Sequence, residues 1–279
     1  TDRHYRQKVV EYIQDDMVKR FWAIEFSEWS EKFDTEAIIP LVNKLSQFLS
    51  NPLLRNIFGQ KENKIDLEEI MQSQKILLIN LSKGKLGEEN SSFFGSMFIT
   101  KIKQAAMARA ELPEKERQDF YLYVDEFHNL VTTTFENLFS EARKYGLSLT
   151  VANQYLAQLL PSVQSTVLGN VATLIVFRLG GDDALRMEKE MTPVFKAKDM
   201  INLGVRQFYI KMTVDGETFD PFSAETLRVL AVEHHSLKNE IIAFSRQNYA
   251  VSLESVLKTE KEAGGKTLGV DQKTPEPLI

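Results

Sequence analysis

With 279 residues, 43% of them hydrophobic and 26% charged, the chain is long enough for one large or two modest domains around packed cores. Cysteine is absent, which excludes disulfides, thiolate metal sites and cysteine nucleophiles. The four histidines, His4, His128, His234 and His235, form no metal-binding pattern such as H-E-x-x-H. The formal net charge of −5 argues against nucleic-acid binding by bulk electrostatics alone and leaves local basic patches for that role.

No apolar run approaches the roughly 18 to 20 residues that cross a bilayer, and no signal peptide opens the sequence, so no transmembrane segment is expected within it. The chain starts at Thr1 in mid-pattern, and the expectation is a fragment whose membrane anchor, if it has one, lies upstream.

Residues 1–58 read as all-helical. Phe21, Trp22, Phe26 and Trp29, then Leu41, Val42, Leu45, Phe48 and Leu49, recur at helical spacing as core-facing stripes. From Ile65 strands alternate with helices. Lys75 to Leu81 is a nearly continuous apolar run, the pattern of a strand buried on both faces. The next helix places Phe94, Phe98, Ile102 and Ala105 on one face and leads to a polar surface loop, Glu111 to Arg117. A second strand, Phe120 to Val124, ends at Asp125 and Glu126. A capping box of Thr133 and Glu136 then opens a helix with Phe135, Leu138, Phe139 and Ala142 on its apolar side, stopped by Gly146.

A third strand, Leu147 to Ala152, ends at Asn153 and Gln154 and is followed by a helix with Leu156, Leu159, Leu160 and Val163. A fourth runs from Thr173 to Leu179. The alternation predicts right-handed crossovers and an α/β, mostly parallel sheet with flanking helices. Gln207 to Val214 and Thr218 to Phe222 flank the hairpin dipeptide Asp215-Gly216 and add an antiparallel edge. Residues 233–263 read as a C-terminal helical segment, and 264–279, rich in Gly, Pro, Lys and Thr, as a disordered tail.

The sharpest chemical signal is the passage from apolar Tyr121 to Val124 into two acids. Ligands of open parallel sheets bind outside the carboxyl ends of the strands, so Asp125 and Glu126 stand where the phosphates of a nucleotide lie. This is a Walker B arrangement, with Asp125 in the Mg²⁺ shell and Glu126 polarising the attacking water. The other reading is a solvated loop start. Asn153-Gln154 ends the neighbouring strand in the same topological position, where an amide either contacts the γ-phosphate or caps the next helix. Lys83 and Lys85, in the Gly-containing stretch Ser82 to Asn90, form either a plain connection or a loop facing a phosphate or a DNA backbone.

Taken together, Phe120 to Phe127, Ser140 to Gln158 and Lys75 to Gly84 resemble the Walker B to sensor segment of the TraG/TraD-like conjugative coupling and type IV secretion ATPases of the HerA/FtsK P-loop superfamily. The resemblance implies a RecA-like core over 59–232, with 1–58 as the end of an all-helical insertion. It implies Asp125 and Glu126 as Walker B acids binding Mg²⁺ and ATP, Gln154 as the sensor, and Arg143 as a finger acting across a subunit interface, with Arg178 as its rival. Each arginine also has a plain role, as a cation closing a helix or in a surface ion pair. Implied partners are a homo-oligomeric ring, a hexamer, together with DNA and relaxase or other secretion components. The implied place is the cytoplasm, at the inner face of the membrane through upstream segments or partners.

The phosphate-gripping G-x-x-x-x-G-K-S/T is missing. Its nearest string, Gly264 to Thr267, has Glu260 where the first glycine belongs and no strand before it. The expectation is therefore half a nucleotide site, inactive by itself, from an ATP-driven DNA translocase. The alternative is a non-hydrolysing adaptor or docking subunit related to such motors. An unrelated α/β hydrolase finds no G-x-S-x-G elbow here.

Overall fold

A computed structural model describes residues 3–29, 31–60, 62–130, 133–228 and 236–264. The chain divides into two compact units, one formed by 1–64 with 236–279 and the other by Ile65–His235.

In the first unit the described elements are helices and helical turns. Helices α1 (Arg3–Glu11), α2 (Asp16–Arg20), α3 (Glu31–Ser50) and α4 (Pro52–Phe58) come from its first segment, and α12 (Lys238–Tyr249) and α13 (Leu253–Gly264) from its second. Capping residues set the starts. The Asp15 carboxylate accepts from Met17 N and Val18 N, and Asn51 Oδ1 accepts from Leu53 N ahead of Pro52, whose missing N–H costs nothing at a first helical position. Between α2 and α3 a wide turn, Phe21–Glu25, gathers Phe21, Trp22, Phe26 and Trp29 into one aromatic cluster with Arg6 over the Phe26 ring. The second expected stripe is not a core face. Leu41, Val42, Leu45 and Leu49 of α3 are exposed, because helical spacing records which residues share a side and not what covers it. The side chain of Phe48 lies outside the described residues, as do residues 265–279 of the expected tail.

The second unit begins with α5 (Leu67–Gln72), capped by Asp66, whose carboxylate accepts from Glu69 N. A one-turn α6 (Lys83–Leu86) follows, then α7 (Glu88–Ala108). Strand β1 (Phe120–Val124) leads through a 3-10 turn, Phe127–Asn129, to α8 (Thr133–Glu141). Another 3-10 turn, Ala142–Tyr145, ends at Gly146 with φ 67°, the left-handed conformation a stop of this kind requires. Strand β2 (Leu147–Val151) pairs with β1 in parallel, Phe120 opposite Leu147 and Val124 opposite Val151. The side chains of the expected Thr133/Glu136 capping box lie outside the described residues.

Helix α9 (Pro161–Asn170) opens on its proline, which leaves Leu156–Gln158 as a separate 3-10 turn and Leu160 exposed. Strand β3 (Thr173–Val176), α10 (Gly181–Met191), α11 (Ala197–Ile201), β4 (Gln207–Val214), β5 (Glu217–Thr218) and β6 (Phe222–Glu225) complete the unit. The hairpin turn is in place, with Asp215 at φ 52° and Gly216 at φ 85°.

Two sheets result among the described residues. β1 and β2 form the parallel one; β3, β5 and β6 all pair antiparallel with β4 or its end. The parallel part is thus smaller than the strand–helix alternation predicts, and the strand at Thr173 joins the hairpin instead. The run Lys75 to Leu81 is extended but makes no ladder, and Ile76 and Leu78 are 88% and 74% exposed. An apolar run becomes a buried strand only where a neighbouring edge takes its N–H and C=O groups.

One core, with Met71, Ile102, Val124, Phe127, Phe135, Leu138 and Leu147, packs α7, α8 and α9 on one face of the parallel pair. A second gathers Val176, Met187, Met191 and Met200 beside β3 and β4. The buried Asp183 carboxylate joins them by accepting from Leu156 N at 3.0 Å. At the amino end of the parallel pair, buried Arg109 donates to the carbonyls of Gln118 and Tyr145. Burial lowers its pKa, partly countered by the charge of Asp119. The opposite face of the pair is bare, with Tyr121 and Tyr123 at 61% and 72% exposed.

Candidate nucleotide-binding site

The parallel pair ends in polar residues. Beyond Val124, Asp125 Oδ1 accepts from Glu126 N at 2.9 Å, and Glu126 adopts the left-handed conformation, φ 47° and ψ 44°. That turn throws the chain off the strand into the 3-10 turn Phe127–Asn129. Phe127 is buried and stacked on Phe135 with ring centroids 5.8 Å apart, so the core clamps the residue that follows the acids. A non-glycine residue in this backbone region costs about 1–2 kcal/mol, a strain typical of functional positions.

Both acids are exposed and line a cavity of about 520 Å³. Its wall continues through Asn80, Ser82 and Lys83, and its floor is α7, including Ser91, Gly95 and Ile99. At Gly95 a Cβ would meet Leu130 Cδ2 at 2.1 Å, so glycine lets the loop after the acids settle on the helix. Ser91 Oγ donates to Leu81 O at 2.6 Å and Asn80 Oδ1 accepts from Ser82 N at 3.1 Å, which fixes the chain entering α6.

Two side-chain links hold the acid turn. His128 Nδ1 lies 2.6 Å from Asn153 Oδ1 and joins the turn to the end of β2. Asn129 reaches Glu126 on one side and Lys83 on the other. Lys83, expected on a loop facing DNA or a phosphate, is therefore a cavity residue, paired also with Glu88 at 3.3 Å. Lys85 is exposed on the same turn.

The remaining sequence candidates are not gathered here. Gln154 is exposed and outside the cavity wall; its neighbour Asn153 makes the contact with the acid turn. Arg143 is exposed in the turn before β2, at the other end of a five-residue strand, roughly 16 Å away along the sheet. Arg178 is exposed, two residues beyond β3. His128 and Asn129 were missed by sequence reasoning; the only signal was two polar residues just beyond the acid pair, separated from it by Phe127.

Residues 119–188 match the sequence model of the family described as the TraM recognition site of TraD and TraG. The chain carries a TraG/TraD-type segment. This segment runs from the residue before β1 into α10 and contains both acids, His128, Asn129 and the end of β2. The described residues form a mixed helix-and-sheet fold with a small parallel sheet, flanking helices and an all-helical amino-terminal part.

Among solved structures, the chain is similar to the bacterial conjugative coupling protein TrwB in an unbound form, with TM-score 0.41 and 16% identity over 50% of this chain and 38% of that one. It is also similar to TrwB in complex with ADP and Mg²⁺, with TM-score 0.40 and 16% identity over 49% of this chain and 37% of that one. The genome packaging NTPase of Sulfolobus turreted icosahedral virus 2, in complex with AMPPCP, aligns with TM-score 0.41 and 17% identity over 59% of this chain and 73% of that one. The chain spans well under half the length of the coupling protein. No curated protein matches. Among the described residues no helix is long and apolar enough to cross a membrane, and no group of three or more His, Asp or Glu residues is arranged to hold a metal ion.

Proposed function

We propose that this chain is the acid-bearing half of the ATP site of a DNA-translocating coupling ATPase, whose P-loop lies upstream in the same polypeptide. The observation that carries this reading is the acid pair at the carboxyl end of β1, opening on a cavity inside a TraG/TraD-type segment. Glu126 would orient and polarise the attacking water, and Asp125 would hold the metal through its waters. A single exposed carboxylate suits Mg²⁺, which keeps most of its waters and binds through one or two carboxylates and the phosphates. When bound it neutralises charge on the transferring phosphoryl group. Asn153 and His128 hold the sensor strand to the acid turn, so a change at Glu126 reaches Gln154. Arg143 and Arg178 are the candidates for a finger contributed to a neighbour's site in a ring, most simply a hexamer.

ATP turnover by the longer polypeptide tests this. Glu126→Gln is expected to abolish it; unchanged turnover would overturn the assignment. Arg143→Ala subunits mixed with Glu126→Gln subunits are expected to differ from either alone if the finger works between subunits.

A second reading is favoured by the family description: a docking subunit that recognises a TraM-like partner and hydrolyses nothing. Reading the upstream coding sequence separates the two, since a P-loop there supports the motor and a start codon without one supports the docking subunit.

A further inference from the structure

Lys83 Nζ lies 3.0 Å from Asn129 Oδ1. The other end of the same amide faces the catalytic candidate: Asn129 Nδ2 donates to the Glu126 carbonyl at 3.1 Å and lies 3.4 Å from Glu126 Oε2. An ammonium has only donors, an ionised carboxylate only acceptors, and a side-chain amide one end of each kind. The order ammonium, amide oxygen, amide nitrogen, carboxylate is therefore the only one the chemistry permits, and the amide cannot flip while both neighbours are present.

The two ends differ in what restrains them. Asn129 sits in the short turn anchored by buried Phe127, so it cannot follow a large movement of either neighbour. Lys83 stands on a one-turn helix between Ser82 and Gly87, with Gly84 inside it, and its side chain is 40% exposed. Its ammonium is the mobile end. Its present partners are a neutral amide oxygen and the 75%-exposed carboxylate of Glu88, a pair of weak holds in solvent. A phosphate oxygen is the stronger acceptor for an ammonium.

We propose that Asn129 is a positioning residue for Glu126 whose grip is set by Lys83, so that a phosphate drawing Lys83 away releases the amide and frees the Glu126 carboxylate to reorient within the cavity it lines. This rests on the reading of Glu126 as the acid that orients water. The phosphate belongs either to a nucleic-acid backbone lying against α6 or to a nucleotide in the cavity, and the two sources give different outcomes below.

The relay is tested first in the longer polypeptide, independently of turnover, through the side-chain amide resonances of Asn129, assigned by their loss in Asn129→Asp. Lys83→Met is expected to shift them and Lys85→Met, the same charge loss on the same turn, to leave them in place. A short single-stranded oligodeoxynucleotide is expected to move the wild-type signals in the direction of Lys83→Met if the backbone is the source; MgATP alone does so if the nucleotide is. Signals unmoved by Lys83→Met, or by both phosphate probes, overturn the proposal.

In the longer polypeptide, Asn129→Ala is expected to raise turnover without DNA by about two- to tenfold, the span of one modest hydrogen bond, and to bring the ratio of DNA-stimulated to basal turnover towards one. Asn129→Asp, which keeps an acceptor for Lys83 but repels Glu126, is expected to do the same without the cavity that alanine leaves. Lower basal turnover with an unchanged stimulation ratio in both variants overturns the relay. If instead Glu126→Gln retains turnover, the reading of the site fails while the resonance result stands.

Discussion

Replacing Glu126 by glycine should leave the end of the parallel pair more stable than replacing it by alanine. Glu126 sits at φ 47° and ψ 44°. Left-handed backbone costs a side-chain-bearing residue about 1–2 kcal/mol, and glycine avoids this while losing roughly 0.5–1 kcal/mol more backbone entropy on folding. The net gain lies within about 0–1.5 kcal/mol and centres on about 0.75 kcal/mol. The proper reference is Glu126→Ala, which loses the same contact with Asn129 and keeps the strain. The assay is amide hydrogen exchange at Ala152 and Phe127, whose N–H groups bond to Val124 O and Ala152 O across the end of the pair. Protection should be about two- to fivefold greater in Glu126→Gly than in Glu126→Ala, the centre of that gain expressed as an equilibrium constant, with Glu126→Asn between them because asparagine tolerates this region. Equal or weaker protection in Glu126→Gly would refute the claim that the acid turn is strained.

Phe135 is fully buried and packs on Phe127 and Phe139, so Phe135→Ala should cost about 3–5 kcal/mol in urea unfolding, while Leu160→Ala on the exposed shoulder of α9 should stay within about 0.5 kcal/mol of wild type. Arg109→Met should lower stability by roughly 1–3 kcal/mol on the same assay, because the carbonyls of Gln118 and Tyr145 lose a buried donor. The Tyr209 phenol, stacked on Phe195 at 3.6 Å, is held above its ordinary value of 10.0 by burial and then by the charge of Asp199. The unfolded chain therefore sheds that proton first as pH rises through the ordinary tyrosine range, and stability should fall there. Tyr209→Phe should remove that part of the slope, and absorbance at about 295 nm should show one late-ionising tyrosine missing.

Much of the site was legible because its signals are local. A strand of alternating burial that runs into Asp125-Glu126, and a neighbour that ends at Asn153, can be read from order along the chain. Gly146 and Asp215-Gly216 were legible for the same reason, since a left-handed turn is a property of one or two residues. What depends on distant partners was not. Lys75 to Leu81 has the composition of a central strand, yet among the described residues it makes no ladder. Thr173 to Val176 carries the same texture whether its neighbour runs parallel or antiparallel, and only β4 decided it. Leu41 to Leu49 shows a helical stripe that is uncovered. Asn129 is the clearest case: lying near the acid pair in sequence gives it no role, because its role comes from Lys83, 46 positions away.

The aromatic cluster of the first unit holds both tryptophans of the chain, Trp22 and Trp29, while the acid turn and its cavity belong to the other unit and have only tyrosines and phenylalanines nearby. Intrinsic indole emission therefore reports on the helical unit. A wavelength shift on adding nucleotide would come from the helical unit, so a native, label-free signal already exists for whether one unit senses what happens in the other.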